Sequence, residues 1–422
     1  MGHPCAPIDL MVVGLGYVGL PLARAASDAG LAVAGYDISP ATVAALRAGR
    51  SPVRDVADAD VARMLGAGFT AGTDPEPLAR AQAVAICVPT GLRPDGSPDL
   101  GPLTRACRTV GERLRPGTLV VVESTSFPGT TEELARPLLE ASGLLAGEDF
   151  HLGYSPERVD PANTAFGVAN TPKVVSGVTP VCAKQCAALY ERFVDTVVVA
   201  RGTREAELAK LLENTYRSVN IALANEFARY CHEIGADVWD VVACAATKPF
   251  GFQSFRPGPG VGGHCIPVDP VYLLHGAPAD AFGVVRAALR ANRLMPGHVV
   301  ARAAELLAGQ ELPDGRRPRV LLLGTAYKPD TEDVRESPAL EVARGLLERG
   351  AEVTWHDPHA PGLPLADARL RRCADPLRAA RAADLAVLLQ AHRAYDLPAL
   401  AGAARLLFDT TGLVSGERVV RL

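Results

Sequence analysis

Leu10-Met11-Val12-Val13-Gly14-Leu15-Gly16-Tyr17-Val18-Gly19 is the stretch that decides the fold of this chain. Its four leading apolar residues predict a buried strand, and the Ala- and Leu-rich residues 20–29 predict a helix. A second strand, predicted over residues 31–36, leads into Asp37. A strand, a G-x-G-x-x-G turn, a helix and a second strand that ends in an acid are together the dinucleotide-binding pattern.

Each glycine of this turn has its own task in that pattern. Gly14 allows the tight turn, Gly16 lets backbone N–H groups approach a pyrophosphate, and Gly19 lets the helix pack closely on the strand. The start of the helix adds partial positive charge. Asp37 would accept hydrogen bonds from the ribose hydroxyls, and no Arg follows it directly to neutralise a 2′-phosphate, so NAD is expected rather than NADP. The residues predicted to contact the cofactor at this turn are Gly14, Gly16, Tyr17, Val18, Gly19 and Asp37.

Composition bounds the class of protein. The chain has 422 residues, enough for two or three domains, and a net charge of −4 does not favour a nucleic-acid partner. We expect no signal peptide and no membrane span, because no basic-then-apolar leader and no apolar run near the required length of about 20 residues occurs. Nine cysteines without a C-x-x-C pair support neither a disulfide framework nor a zinc site, so no metal is expected, and a reducing cytoplasm fits.

Further apolar runs predict more strands of a parallel sheet. One covers residues 83–90, another covers 118–122, and a later one covers 194–199. Ligands of open α/β sheets bind outside the carboxyl ends of the strands. Four residues at such ends are therefore expected near the cofactor, namely Pro89, Thr90, Ser124 and Thr125.

A long helix is predicted over residues 204–235, which contain neither Gly nor Pro before the end. Such a helix would span roughly 45 Å and would serve as a domain connector or a dimer spine. A second helical pattern, over 284–307, is interrupted at Pro296-Gly297. Lys210 and Asn214 are four residues apart on the long helix, so both project from one face. They could bind an oxyanion together, or they could simply be solvated surface residues.

The opening pattern recurs later without its glycine signature. A strand over 319–323, a helix over 337–349 and a strand that ends at Asp357 form a second βαβ unit. Its loop, Tyr327-Lys328-Pro329-Asp330, is basic and polar, which favours a nucleotide other than NAD. We therefore predict an α/β fold with two Rossmann-like doubly wound domains joined by a long central helix and a helical region. The predicted domains are 1–200, 201–305 and 306–422.

Between the two helical patterns lies a glycine-rich loop with a cysteine, Gly258-Pro259-Gly260-Val261-Gly262-Gly263-His264-Cys265-Ile266-Pro267-Val268-Asp269. The glycines let another molecule approach the backbone closely. A lone cysteine beside a turn is more often structural. A thiol that attacks carbon must instead ionise, in an environment that favours the thiolate, and here a carboxylate follows four residues later.

Together these segments resemble the UDP-glucose/GDP-mannose 6-dehydrogenase family, over nearly the whole chain. The matching motifs are residues 14–21, 123–125, 154–158, 207–214, 258–269 and 324–330 with Asp333, Arg335, Glu336 and Ser337. The resemblance implies an N-terminal NAD domain, a central helical region that forms a homodimer or higher homo-oligomer, and a C-terminal UDP-binding domain.

The activity that the resemblance implies is the oxidation of a primary alcohol at carbon 6 of a UDP-sugar to a carboxylate, with two NAD reduced. Cys265 would capture the aldehyde as a thiohemiacetal, which then becomes a thioester. Asp269 would act as the base, and Lys210 with Asn214 would bind the oxyanion. Glu157 and Thr125 match positions that handle water near the reacting carbon.

The resemblance also implies contacts to the sugar nucleotide. Lys328 and Arg335 match basic residues of the third domain. Arg256 is a candidate for the pyrophosphate, although an exposed arginine without a function fits equally well. The remaining predicted substrate contacts are Glu157, Arg158, Lys210, Asn214, Gly258 and Gly262.

Two positions narrow the substrate by analogy. His264 and Val268 stand where members acting on glucose or mannose usually have Ser and Lys, and residues 247–252 resemble UDP-N-acetylglucosamine 6-dehydrogenases in particular. UDP-N-acetylglucosamine is therefore expected, with UDP-glucose and UDP-N-acetylmannosamine as alternatives.

Two rival functions remain. A two-electron hydroxyacid dehydrogenase would need no essential thiol, and a non-catalytic NAD-binding protein would be expected to lack Cys265, Lys210 or Asp269. All three residues are present.

Overall fold

The computed structural model describes residues 7–158, 165–263, 265–310 and 315–422. The chain divides into two compact units. The N-terminal unit comprises Met1–Glu213 with Val271–Gly276, and the C-terminal unit comprises Asn214–Pro270 with Ala277–Leu422. Each contains one sheet, so the predicted pair of Rossmann-like domains is confirmed.

The N-terminal unit is built on an eight-stranded sheet of order β3-β2-β1-β4-β5-β6-β7-β8. Its strands are β1 Ile8–Val13, β2 Val33–Tyr36, β3 Thr70–Gly72, β4 Ala81–Ile86, β5 Leu119–Val122, β6 His151–Tyr154, β7 Lys173–Gly177 and β8 Val197–Val199. Its helices are α1 Gly19–Asp28, α2 Pro40–Arg47, α3 Asp58–Gly66, α4 Gly101–Gly111, α5 Arg136–Glu140 and α6 Pro180–Tyr190, with a 3-10 turn at Glu76–Arg80 and a π-helical turn at Thr130–Ala135.

One strand departs from the predicted parallel sheet, because β7 runs antiparallel to β6. A parallel neighbour requires a crossover over one face of the sheet, usually a helix. The described parts of the connection, 155–158 and 165–172, contain no helix. The chain therefore returns beside β6 in the opposite direction, and β8 then pairs parallel with β7.

The C-terminal unit contains a six-stranded parallel sheet of order β11-β10-β9-β12-β13-β14. Its strands are β9 Arg319–Leu323, β10 Glu352–His356, β11 Leu370–Arg372, β12 Leu385–Leu388, β13 Leu407–Asp409 and β14 Val419–Arg421. The remaining helices, in chain order, are α7 Thr203–Ile234, α8 Val238–Ala246, α9 Asp269–Leu274, α10 Gly283–Ala308, α11 Pro338–Glu348, α12 Pro376–Ala382 and α13 Leu397–Ala403. The first residues of α7 and the last residues of α9 belong to the N-terminal unit.

The predicted long helix is confirmed as α7. The predicted interruption at Pro296-Gly297 is wrong, because α10 continues through Pro296. Proline removes one backbone hydrogen bond inside a helix. Here Pro296 is buried, and the buried residues Met295 and Val299 on either side belong to the same core cluster. Packing of this face outweighs the lost hydrogen bond.

Both sheets are buried on both faces. Along β1, Leu10 and Val12 belong to one core cluster, while Met11 and Val13 belong to another. Along β9, Val320 and Leu322 likewise separate from Leu321 and Leu323. Strands covered on both faces read as continuous apolar runs, which is why the sequence pattern located them. None of the described helices is both long and apolar enough to cross a bilayer.

Candidate active site

The glycine turn after β1 has the geometry that its sequence predicts. Gly14 has a φ of +92°, and a Cβ there would lie 2.7 Å from the carbonyl oxygen of Cys87. A Cβ at Gly19 would lie 1.9 Å from the carbonyl oxygen of Gly14, so only glycine allows this packing. Around Gly16, in contrast, no atom lies within 4 Å of a Cβ position. The space over Gly16 fits the approach of a pyrophosphate to the backbone.

Asp37 lies at the end of β2, partly exposed, beside the glycine turn. Its carboxylate accepts hydrogen bonds from the backbone N–H of Leu15 at 2.8 Å and of Ser39 at 2.8 Å. Each carboxylate oxygen retains further acceptor capacity, since each can accept two hydrogen bonds. Asp37 is therefore held in place by the turn and can still accept a ribose hydroxyl.

The neighbouring strand ends come together beside this turn. The Ser124 hydroxyl after β5 donates to the carbonyl oxygen of Val88 after β4 at 2.8 Å. Thr90 and Thr125 are buried, whereas Pro89 and Tyr17 are exposed. Val18 precedes α1 as its N-cap. The predicted strand-end residues thus lie where the sheet places ligands, although their contact with NAD stays a prediction.

Lys210 is not a solvated surface residue. It is buried, and its Nζ donates a hydrogen bond to the Thr125 hydroxyl at 2.6 Å. One turn earlier on α7, the buried Glu207 accepts hydrogen bonds from the backbone N–H of Gly129 at 2.6 Å and of Thr131 at 2.9 Å. Burial raises the pKa of Glu207 to about 7, against the effect of these hydrogen bonds. The long helix therefore fixes the loop after β5 at two points.

Glu157, after β6, lies beside a buried group of charges. Lys173 on β7 forms ion pairs with Glu123 at 2.7 Å and with Glu157 at 3.6 Å, and the Tyr190 hydroxyl donates to Glu123. Burial lowers the pKa of Lys173, but the two carboxylates outweigh it and raise that pKa above its usual value. Glu157 is therefore held beside an ammonium whose charged form the site favours.

Arg158 makes structural contacts within the N-terminal unit. Its guanidinium pairs with Glu213 at 2.7 Å and donates to the carbonyl oxygen of Pro172 at 2.7 Å. This anchors the end of β6 to α7. Its predicted contact with substrate stays a prediction.

Cys265 differs from most of the other cysteines in its accessibility. Among the described cysteines, only Cys244 and Cys265 are exposed. Burial raises the pKa of the Cys107 thiol to about 12 and that of Cys87 well above its usual value, which makes these thiols poor nucleophiles. Of the two exposed cysteines, only Cys265 lies in the glycine-rich loop, so the geometry supports it as the nucleophile.

The Cys265 loop is held tightly inside the C-terminal unit. The backbone N–H of Gly263 donates to the carbonyl oxygen of Arg335 at 3.0 Å. A Cβ at Gly262 would lie 2.7 Å from the Cβ of Tyr327, and one at Gly263 would lie 2.5 Å from its ring. Glycine is needed here because the loop packs directly on the basic segment of the C-terminal sheet.

Asp269 and Asn214 form one hydrogen-bonded pair in the same unit. Asn214 Nδ2 donates to Asp269 Oδ2 at 2.6 Å, and the Asp269 backbone N–H donates to the Cys265 carbonyl oxygen at 2.9 Å. The Asp269 side chain is buried, so it is not an exposed loop cap. Asn214 therefore orients the carboxylate that lies four residues after Cys265, a contact that its spacing from Lys210 did not predict.

The remaining predicted substrate residues lie in the same unit. The Arg335 side chain forms a two-bond ion pair with Asp333, with the shortest contact at 2.6 Å, and is half exposed. Lys328 is partly exposed, Gly258 and Gly262 are partly exposed, and Arg256 is exposed. The substrate signature at His264 lies outside the described residues, while Val268 is buried.

Sequence patterns missed several groups that shape the site. Lys173, Tyr190 and Asn225 were not singled out, and Glu123 and Glu207 were noted only within motifs. These side chains are buried and form hydrogen bonds or ion pairs with other protein groups, so their residue types alone do not indicate a role in the site. The helical spacing of Glu207, three residues before Lys210, was the one available indication.

The three domains of one family match successive segments of the chain. The NAD binding domain of the UDP-glucose/GDP-mannose dehydrogenase family matches residues 8–194, its central domain matches 204–293, and its UDP binding domain matches 321–420. The chain belongs to this family. It is accordingly an NAD-dependent nucleotide-sugar dehydrogenase, an oxidoreductase.

Named relatives differ in the sugar they act on. UDP-N-acetyl-D-mannosamine dehydrogenase of Pyrococcus horikoshii is 38% identical over 355 residues, 84% of each chain. UDP-N-acetyl-D-glucosamine 6-dehydrogenase of Pseudomonas aeruginosa is 38% identical over 356 residues, 83% of each chain. The solved UDP-glucose dehydrogenase of Pyrobaculum islandicum is 30% identical with a TM-score of 0.87, covering 100% of this chain and 98% of its own.

Proposed function

We propose that this dehydrogenase oxidises carbon 6 of UDP-N-acetylglucosamine to the carboxylate by four electrons, through a covalent intermediate on Cys265. The observation that carries the proposal is the exposed Cys265 in a braced glycine loop, followed by the buried Asp269 that Asn214 orients. A two-electron dehydrogenase has no use for such a thiol, which disfavours the hydroxyacid alternative.

The cofactor is held by the glycine turn of the N-terminal unit. The open space over Gly16 would receive the pyrophosphate, and Asp37 would accept the ribose hydroxyls. NAD, when bound, supplies the hydride acceptor for each of the two oxidations. Ser124 and Thr90 border this site from the neighbouring strand ends.

Lys210 and Thr125 would serve the first oxidation. As the alcohol loses its proton and hydride, negative charge develops on the oxygen at carbon 6. The Lys210 ammonium, fixed by its hydrogen bond to Thr125, stabilises that charge in a buried setting. Asn214, one helical turn further along α7, is proposed to add a second donor.

Cys265 would carry the second oxidation. The thiolate forms a C–S bond with the aldehyde carbon, and the oxygen takes up a proton, giving a thiohemiacetal. Loss of hydride and of that proton gives a thioester. Water then breaks the C–S bond, releasing the carboxylate and the thiolate. Asp269 and Glu157 are the proposed bases for this water.

The UDP portion is assigned to the C-terminal unit. Lys328, Arg335 and Arg256 supply positive charge, and Gly258 and Gly262 allow close approach of the backbone. The match of residues 321–420 to a UDP binding domain supports this assignment. Arg158 is proposed as a further contact on the sugar side.

The acetamido group is the most specific part of the proposal. It rests on the resemblance of residues 247–252 and of His264 and Val268 to enzymes of 2-acetamido sugars. UDP-N-acetylmannosamine is the second candidate, because a relative with equal identity acts on it by name. A site with a hydrogen-bond partner for the acetamido group rejects a bare hydroxyl, which leaves that partner unpaired.

A homodimer through α7 is also proposed. Six large apolar residues recur at helical spacing along α7 and are 47–68% exposed. They are Leu212, Tyr216, Leu223, Phe227, Tyr230 and Ile234. An exposed apolar stripe of this kind marks an interface. A second copy is the proposed occupant, and Phe227→Asp is expected to convert the dimer to a monomer in sedimentation. An unchanged sedimentation coefficient would place the interface elsewhere.

A cytoplasmic location remains a prediction.

The experiment that tests the function is a panel of UDP-sugars with NADH counted per product. We expect two NADH per uronate and the highest kcat/KM with UDP-N-acetylglucosamine. Cys265→Ser should still bind NAD, with Cys244→Ser as the matched control at the other exposed thiol. One NADH per product, or near-normal uronate formation by Cys265→Ser, would contradict the proposal. A higher kcat/KM with UDP-glucose would refute only the acetamido assignment.

A further inference from the structure

Three polar side chains are buried in the helical part of the C-terminal unit. Ser218 and Asn225 lie on α7, Asn292 lies on α10, and each is at most 2% exposed. A buried amide costs free energy unless its donors and acceptors are used. Apolar residues such as the neighbouring Ala222 and Ala288 would fill this interface at lower cost. The amides therefore require an explanation.

The three side chains form a chain of hydrogen bonds with one possible direction. Asn292 Nδ2 donates to the Ser218 carbonyl oxygen at 3.0 Å, and Asn225 Nδ2 donates to Asn292 Oδ1 at 3.0 Å. Asn225 Oδ1 accepts the backbone N–H of Gly258 at 2.9 Å. A backbone N–H only donates and a carbonyl oxygen only accepts, so both ends fix the orientation of both amides.

The end of this chain lies where the nucleophile loop begins. Gly258 stands between Pro257 and Pro259, which have no N–H, so it provides the one backbone donor of this tripeptide. The loop is fastened again at Gly263, whose N–H donates to the Arg335 carbonyl oxygen. Cys265 follows these two bonds in the chain. Its carbonyl oxygen accepts the backbone N–H of Asp269, which closes the turn after it.

We propose that Asn225 is a positioning residue for Cys265, which holds the start of the nucleophile loop through the N–H of Gly258. This rests on the proposed function of Cys265 and adds a residue that does not touch the substrate. Asn292 and Ser218 keep the Asn225 amide in the required orientation. Loss of the acceptor frees the loop and moves the thiol relative to its target carbon, and an error of about 1 Å can cost on the order of a hundredfold in rate.

The test compares four variants of the full-length chain. Asn225→Ala removes the acceptor, and Asn225→Asp keeps an oxygen for Gly258 while losing the donor to Asn292. Asn292→Ala breaks the chain one bond further away. Asn220→Ala is the matched control, because its amide donates only to the Tyr216 carbonyl oxygen of the same helix.

Hydrogen exchange of residues 255–265 and alkylation of Cys265, followed by peptide mass spectrometry, report on the loop without any substrate. We expect faster exchange and an altered alkylation rate in Asn225→Ala, with a loss of kcat of at least about tenfold and unchanged NAD affinity. Asn225→Asp should recover part of the kcat and of the protection. Asn292→Ala should give intermediate values, and Asn220→Ala should match the wild type.

Three outcomes overturn the proposal. Exchange and kcat in Asn225→Ala equal to those of Asn220→Ala would show that the loop is held otherwise. Exchange that rises throughout α7 and α10, without recovery in Asn225→Asp, would show a general packing role. If Asn225→Ala does not fold, Asn225→Asp provides the test. Wild-type exchange protection in Asn225→Asp, together with a kcat as low as that of Cys265→Ser, would also contradict positioning through Gly258. A wild-type enzyme that reduces no NAD with any UDP-sugar would refute the proposed function, while the exchange and alkylation results would still decide the role of Asn225.

Discussion

In each of the two sheets of this chain, the first strand is followed by an equivalent glycine turn. The order β3-β2-β1-β4-β5 in one corresponds to β11-β10-β9-β12-β13 in the other. Gly14 after β1 and Gly324 after β9 have φ values of +92° and +76°. A Cβ at either position would meet a backbone carbonyl oxygen, that of Cys87 at 2.7 Å or that of Gln390 at 2.3 Å.

The acid at the end of the second strand is used differently in the two sheets. Asp37 is partly exposed and accepts two backbone N–H groups. Asp357 is 1% exposed and accepts the N–H groups of Thr325, Ala326, His359 and Ala360, together with Nε2–H of His392.

The proton on His392 is assigned from its other nitrogen. Nδ1 accepts the backbone N–H of Asp330 at 2.8 Å, so the ring carries its proton on Nε2 and donates to Asp357. Neither nitrogen is left for a metal ion, although Asp330 and His359 lie close by. The comparison teaches that the acid after the second strand can have two uses in sheets of the same strand order. It can stay accessible to a ligand, as proposed for Asp37, or it can hold the loops of its own sheet, as Asp357 does.

The largest expected effect tests the shared part of the comparison. Gly14→Ala and Gly324→Ala should each lower the free energy of unfolding by about 4 kcal/mol, because the left-handed backbone and the overlap with a carbonyl oxygen both oppose a side chain. Gly16→Ala is the control, since its Cβ meets open space, and it should change stability by less than about 1 kcal/mol. Thermal and urea unfolding of the three variants measure this. Equal stability of Gly14→Ala and Gly16→Ala would contradict the steric need for glycine at Gly14, and a large loss in only one of Gly14→Ala and Gly324→Ala would break the equivalence of the two turns.

The next prediction separates the two acids. Asp357→Ala should cost about 3 kcal/mol of stability, because it leaves several buried donors without an acceptor, and should leave NAD affinity unchanged. Asp37→Ala should weaken NAD binding by roughly 1–3 kcal/mol, the scale of lost charge-assisted hydrogen bonds, with a smaller effect on unfolding.

Calorimetric titration of NAD and thermal unfolding of both variants provide the readouts. Asp375→Ala is the control for a simple N-cap acid, because Asp375 accepts only the Arg378 N–H at the start of α12, and it should cost about 1 kcal/mol. If Asp357→Ala weakens NAD binding as strongly as Asp37→Ala, the division of roles between the sheets is wrong.

The smallest expected effect is an opposite response of the two units to acid. Burial would raise the pKa of Asp357, but the hydrogen bonds from His392 and the backbone outweigh it and hold that pKa well below 3.8. The stabilisation from Asp357 is therefore complete above pH 3.8 and is lost as the pH falls towards the folded-state pKa. Burial raises the pKa of Glu207 from 4.5 to about 7, so the folded N-terminal unit gains stability as the pH falls from 7 to 4.5.

The Glu207 effect should reach on the order of 2–3 kcal/mol and should be absent in Glu207→Gln. Unfolding of each unit can be followed by hydrogen exchange from about pH 2 to about pH 8, a range that includes the loss of the Asp357 contribution below pH 3.8. Glu133→Gln, an exposed neighbour on the same turn that pairs with Arg204, is the control and should retain the wild-type pH dependence. A loss of N-terminal stability between pH 7 and 4.5 would contradict the raised pKa.

Local patterns predicted the elements that are buried on a regular period. The span predicted for α7 agrees with Thr203–Ile234 to within one residue at each end, because a helix without Gly or Pro ends where its pattern ends. The runs that became β1 and β9 were found because both faces of each strand are covered. Five short strands were missed, namely β3, β6, β7, β11 and β14, since three to five residues carry little usable period.

The sequence by itself determined the two strand-turn-helix-strand units, the need for glycine at 14 and 19, and the loop in which Cys265 lies. These depend on residues near each other in the chain, where backbone conformation and periodicity act. Tertiary structure alone decided that Lys210 is buried against Thr125 and that Asn214 orients Asp269. It also decided that Asp357 accepts hydrogen bonds from the loops of its own sheet. The contacts of Lys210 with Thr125, of Asn214 with Asp269 and of Asp357 with Thr325 each join residues more than 30 positions apart. Their energy depends on burial, which no local pattern encodes.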